Sequence, residues 1–161
     1  MGRYLKTIFP STLRLITTMF DVSKMNEMDS TQVGTVGENF VASVLGGYGC
    51  EVSHATGQGY DLVVLEKNED GSTKPIRIDV KTARSASKQR NFHIGKGKSH
   101  PGFREYEAGA CDLFALLCLE DMSLVFRKCE AYVGKKSIYI NPLEHNNTDS
   151  YDSWMEATRD L

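Results

Sequence analysis

Between Cys50 and Thr82 the chain carries three short strand-like runs separated by turn formers instead of helices. They are Cys50 to Ala55, Tyr60 to Leu65 and Ile76 to Thr82, joined through Gly57-Gln58-Gly59 and through the hairpin loop Lys67 to Lys74, KNEDGSTK. Such short connections make consecutive strands antiparallel. One amphipathic helix precedes them: Val33, Val36, Phe40, Val41, Val44, Leu45 and Tyr48 recur at three- and four-residue steps. Ser30 or Thr31 is its expected N-cap, and Gly46-Gly47 and Gly49 end it. Further on come a short strand at Asn91 to Ile94, an apolar run from Cys111 to Leu119 that reads as a buried central strand, its hairpin partner Ser123 to Arg127, and a last strand at Ser137 to Ile140. Strand and helix do not alternate regularly. The order argues against a Rossmann domain or barrel and predicts an α/β (α+β) fold with a central mixed β-sheet flanked by helices. The G-x-G at Gly57 and Gly59 leads into a strand, so it is not a nucleotide fingerprint.

The 161 residues suit one domain. The predicted layout is a flexible tail or linker over 1–30, a folded domain over 31–143 and a polar C-terminal tail over 144–161 with a helical turn at its end. The first twenty residues hold Arg3, Lys6 and Arg14 and no acid. They read as a flexible tail, as residues upstream of a true start at Met19, Met25 or Met28, or as a mitochondrial presequence. Charges and Pro10 break their apolar run, which excludes a membrane span. Cysteines 50, 111, 118 and 129 form no C-x-x-C pair and read as reduced core thiols of a cytoplasmic protein.

Chemistry gathers around Ile76 to Thr82, IRIDVKT. Its alternation sets Ile76, Ile78 and Val80 on one face and Arg77, Asp79 and Lys81 on the other. Taken alone, that is a strand with a solvated charged face. The antiparallel hairpin brings Asp61 to the same end as Asp79, and Glu38 flanks the buried stripe of the preceding helix. Two carboxylates about 4 Å apart repel by roughly 4 kcal/mol at an effective dielectric near 20. Such a cluster must protonate, pair with cations or bind a metal, and oxygen-only donors suit Mg²⁺ or Mn²⁺ over Zn²⁺.

Gly37-Glu38 in a first helix, Tyr60-Asp61 on a strand and Asp79-Val80-Lys81 on the next follow one another in an order that resembles the PD-(D/E)xK nuclease superfamily. The small stand-alone members akin to Holliday-junction resolvases, homing endonucleases and restriction enzymes are the nearest in pattern. The resemblance spans roughly residues 31 to 127 and includes GENFVASVL, GYDLVVL, IDVKT and YEAGACDLFALLCLE. It implies a restriction-endonuclease-like core and a Mg²⁺- or Mn²⁺-dependent endonuclease acting on DNA. Asp61, Asp79 and the Val80 carbonyl would be metal ligands, with Glu38 completing the shell. Lys81 would orient or deprotonate the attacking water and steady the phosphate. Tyr60 stands where the motif has proline, and Asp79 is one methylene shorter than the commoner glutamate. A module that keeps this fold and binds nucleic acid without turnover is the alternative. Members of the family often act as homodimers, since two sites cut two strands.

From Ala83 to Arg104 there are six cations, Arg84, Lys88, Arg90, Lys96, Lys98 and Arg104, two histidines, His93 and His100, and no acid. The net charge of −2 therefore hides a basic segment directly after Lys81. Such a run reads as a solvated loop or, beside the carboxylates, as a lip for a DNA backbone contacted by these cations and His93.

Overall fold

The computed structural model describes residues 24, 27–56, 59–67, 71–85, 90–95 and 106–161. The first helix, α1 (Ser30–Gly47), is capped by Asp29, not by Ser30 or Thr31. The Asp29 carboxylate accepts from the Thr31 and Gln32 amides, and the Gln32 side chain accepts from the Asp29 amide. This reciprocal capping box satisfies orphan donors at both levels, which a hydroxyl one residue later does not. Val33, Gly37, Val41 and Leu45 form the buried stripe of α1, and Gly49, at φ +87°, turns the chain away.

The strands are β1 (Glu51–His54), β2 (Leu62–Lys67), β3 (Thr73–Ala83), β4 (Arg90–His93), β5 (Leu113–Cys118), β6 (Ser123–Lys128) and β7 (Ser137–Ile140). Five of them form a sheet in the order β1-β2-β3-β5-β6, in which only β3 and β5 run parallel. The fold is thus α+β with a mixed central sheet and flanking helices. Every residue of β5 is buried, as its uninterrupted apolar run predicts.

Both faces of the sheet are covered. On one, α1 packs Val41 and Leu45 over Leu62, Val64, Ile76, Ile78 and Val80. On the other, β4 and β7 pair as a separate antiparallel ribbon whose Phe92, Ile138 and Ile140 pack with Phe114, Leu116 and Val125. The odd-numbered face of β3 is therefore not a solvated charged face. Arg77 there turns to Asp112, whose carboxylate accepts from the Arg77 amide at 2.7 Å and from its guanidinium at 2.8 Å.

The polar tail expected from Glu144 onward is instead two helices, α2 (Pro142–Asn147) and α3 (Ser150–Thr158), capped by Asn141 and Asp149. Trp154 and Ala157 on α3 join the α1-side core, and the Trp154 ring meets Phe126 edge-on at 5.2 Å. A single large aromatic supplies the burial that the surrounding polar sequence hides. Among the described residues no helix is long and apolar enough to cross a membrane. Cys111, Cys118 and Cys129 are buried free thiols and Cys50 is half-buried.

Candidate active site

The pairing of β2 with β3 starts at Leu62 opposite Ile78, so β3 runs on past the end of its neighbour. Asp61 occupies the corner this leaves. Its amide donates to the Ile78 carbonyl at 2.9 Å, its carbonyl accepts from Ala55 at 2.8 Å, and its Oδ2 accepts from the Val80 amide at 2.7 Å. A side chain here replaces the missing ladder partner, which fixes the carboxylate rigidly. The Val80 carbonyl lies on the same edge as its amide, as the strand pattern requires.

Asp79 is only 8% exposed, and Lys81 Nζ lies 2.5 Å from its Oδ1. Burial pushes the Asp79 carboxyl up to about 6; the Lys81 ammonium opposes the rise, and the charge and hydrogen bond of Asp61 add to it. The two aspartates that the hairpin predicted at one end do meet.

Glu38 reaches the same corner from α1. Its carboxyl is raised by partial burial and then by Asp61, while His54 and Lys81 pull it down. Gly37 makes this approach possible, because a Cβ there would sit 1.9 Å from Thr82 Oγ1. The helix therefore rests directly on β3 one residue from Glu38. Thr82 Oγ1 is buried there with no hydrogen-bond partner among the described residues.

His54 was not among the residues the sequence singled out. It ends β1 opposite Leu62, the residue after Asp61, and shares the α1 side of the sheet with Val52 and Val64. Its position just before the Gly57-Gln58-Gly59 turn was the available signal, since the hairpin carries that position to the Asp61 corner.

The basic lip divides. Arg90 is fully buried, paired with Asp121 and bonded to Ser123, His145 and Asn146, so it braces the fold and reaches no phosphate. Burial holds the His145 ring down at about 4, so it is neutral, accepting from Arg90 at Nδ1 and donating from Nε2 to the Leu116 carbonyl at 2.9 Å. Arg84 donates to the Met28 carbonyl at the start of α1. His93 is exposed, with Nδ1 3.1 Å from Ser137 Oγ. Lys88, Lys96, Lys98, His100 and Arg104 lie outside the described residues.

Among the described residues no group of three His, Cys, Asp or Glu side chains closes into a metal cage. The donors at the corner are instead two adjoining carboxylates with a backbone carbonyl beside them, and Glu38 close enough to feel the charge of Asp61. Magnesium commonly binds through one or two carboxylates and completes its shell with water and substrate oxygens. Proton affinity raised on a buried carboxylate beside another also marks a place where added positive charge is favourable. The donor set fits a hard divalent ion.

No protein-family profile matches the chain, and no curated protein matches it. Among solved structures it is similar to a bacterial homing endonuclease, I-Ssp6803I, with a TM-score of 0.56 and 13% identity, covering 80% of this chain and 93% of that one. At that identity the likeness is one of fold.

Proposed function

We propose that the chain is a metal-dependent endonuclease that hydrolyses DNA through a PD-(D/E)xK-type site at the corner of β2 and β3. The observation that carries this reading is the convergence of Asp61, Asp79 and Lys81, with Nζ 2.5 Å from Asp79 and Asp61 pinned by the Val80 amide. A fold shared with a homing endonuclease supports it.

Asp61 and Asp79, with the Val80 carbonyl and Glu38, would hold Mg²⁺ or Mn²⁺, which when bound supplies Lewis-acid charge and an acidified water. The chain's own groups do the rest. The Val80 amide fixes the direction of one carboxylate before substrate arrives, which removes reorganisation from the reaction. Lys81 balances Asp79 in the resting site and offers a compact positive charge to the phosphate as negative charge develops on it. Half-buried Glu38 feels the charge of Asp61 and would complete the donor set from the helix side of the corner. Cutting both strands requires two such corners, which a homodimer supplies.

The competing reading is a nucleic-acid-binding module without turnover, favoured by the Lys81 ammonium that already pairs with the buried Asp79 carboxylate. A panel of labelled junctions, nicks, ends and duplexes incubated with Mg²⁺ or Mn²⁺ separates the two. The nuclease reading expects at least one form to be cut and chelation to stop the cutting; tight binding with every form intact in both metals supports the module.

A further inference from the structure

The β4–β7 ribbon has two unlike faces. Arg90, Phe92, Ile138 and Ile140 are buried against the sheet, while Asn91, His93 and Tyr139 are exposed on the outside. Tyr139 is 59% exposed. Asn91 stands directly across from it, and their one mutual hydrogen bond, 3.4 Å, is long. The next pair along is His93 and Ser137. The outer surface is thus a row of hydrogen-bonding side chains around one aromatic ring.

The exposed face of the ribbon itself bears no acid, and the Asp121 carboxylate that pairs with Arg90 lies on its buried side. Neither strand carries an acid, and Lys135 and Lys136 are exposed just before β7. The Ile94 and Gly95 amides both bond to the Lys136 carbonyl, which ties that lysine to the end of the ribbon.

We propose that the outer face of this ribbon enters the major groove of duplex DNA, with Asn91 and Tyr139 meeting base edges and Lys135 and Lys136 meeting phosphates. This rests on the nuclease reading and deepens it by assigning the element that selects the substrate. Four paired residues at about 3.4 Å each, on strands about 4.8 Å apart, make a ribbon that a groove about 12 Å wide admits. Asparagine has the donor and acceptor to bind adenine at N6 and N7 together. Phe92 and Ile138 pack over Phe114 and Leu116, the register partners of Asp79 and Lys81, so the ribbon lies on the side of the sheet that carries those two residues.

The test uses the full chain with chelator present, so that binding to a labelled mixed-sequence duplex is read without cleavage. Asn91→Ala combined with Tyr139→Ala should weaken binding about tenfold, the scale of one lost base contact. Asn91→Asp, which keeps the size and adds a repelling charge, should do the same. Leu143→Ala, at a position exposed on α2, should change nothing. Replacing purines by their 7-deaza forms should weaken wild type and leave the double variant unaffected. If wild type binds and cuts duplex while the double variant binds equally well, the ribbon proposal is wrong and the nuclease reading stands. Indifference of wild type to the 7-deaza duplex overturns groove reading in favour of backbone contact. If wild type binds no duplex, the ribbon proposal is wrong, and the nuclease reading falls only if no labelled form is cut in Mg²⁺ or Mn²⁺.

Discussion

Asp79 is a carboxylate held where burial outweighs its own lysine. Its folded pKa, about 6, lies above the ordinary 3.8, so the folded state holds the proton more tightly than the unfolded state does. The sign follows: no penalty exists below about pH 4, and it develops as pH rises through 6. A shift of roughly two units corresponds to at most about 3 kcal/mol. Asp79→Asn should therefore stabilise the metal-free chain at pH 8 by up to that amount, and the gain should vanish near pH 4 in urea denaturation at the two pH values. An Asn variant less stable than wild type at pH 8 would show that the Lys81 pair dominates instead. Gly37 makes a second prediction at this scale. Gly37→Ala forces its methyl onto Thr82 Oγ1 and should cost about 1 to 3 kcal/mol by overpacking. Thermal melts should show part of that loss recovered by adding Thr82→Ala. Equal melting of Gly37→Ala and wild type would mean that α1 does not rest on β3 there.

Residues of the corner were legible to different degrees. An acid two places before a lysine arises about once by chance in a chain of this length at ordinary composition. Asp79 and Lys81 gained meaning from Asp61, and Asp61 was readable because a tight hairpin fixes which strand ends meet. Arg90 was not readable. It sits in a run of cations, and its acceptors Asp121, Ser123, His145 and Asn146 lie 31, 33, 55 and 56 residues along the chain. Only the packing of α2 against the β5–β6 turn brings them together.

At the scale of elements, those with strong periodicity declared themselves. The stripe of α1 and the apolar run of β5 are both buried in the core. The helix α3 did not declare itself, because Trp154 and Ala157 carry its burial in an otherwise polar stretch. Its weight in the core is nonetheless large: Trp154→Ala should destabilise by about 3 to 5 kcal/mol. Against a typical total of about 5 to 15 kcal/mol that is a major loss, measurable as a drop in the denaturation midpoint. A change under about 1 kcal/mol would mean that α3 is docked only loosely. The β4–β7 pairing also escaped the sequence. Both strands were visible, but more than forty residues separate Phe92 from its partner Ile138, and nothing local specifies the match.

As a whole, the molecule is a mixed sheet sealed by helices on one face and a ribbon on the other, with Asp61, Asp79 and Lys81 gathered at the corner where one ladder stops short. Both layers bear on that corner, since α1 delivers Glu38 and the ribbon covers the face carrying Asp79 and Lys81. The centre of the account is that this corner cuts DNA. Single-turnover cleavage by wild type, Lys81→Ala and Asp79→Asn, with Mg²⁺ and at protein concentrations that saturate binding, tests it most directly. The account predicts cutting by wild type and at least about a hundredfold slower cutting by each variant, with DNA affinity unchanged within a few-fold. Variants that cut as fast as wild type would contradict it, as would a wild type that leaves bound DNA whole.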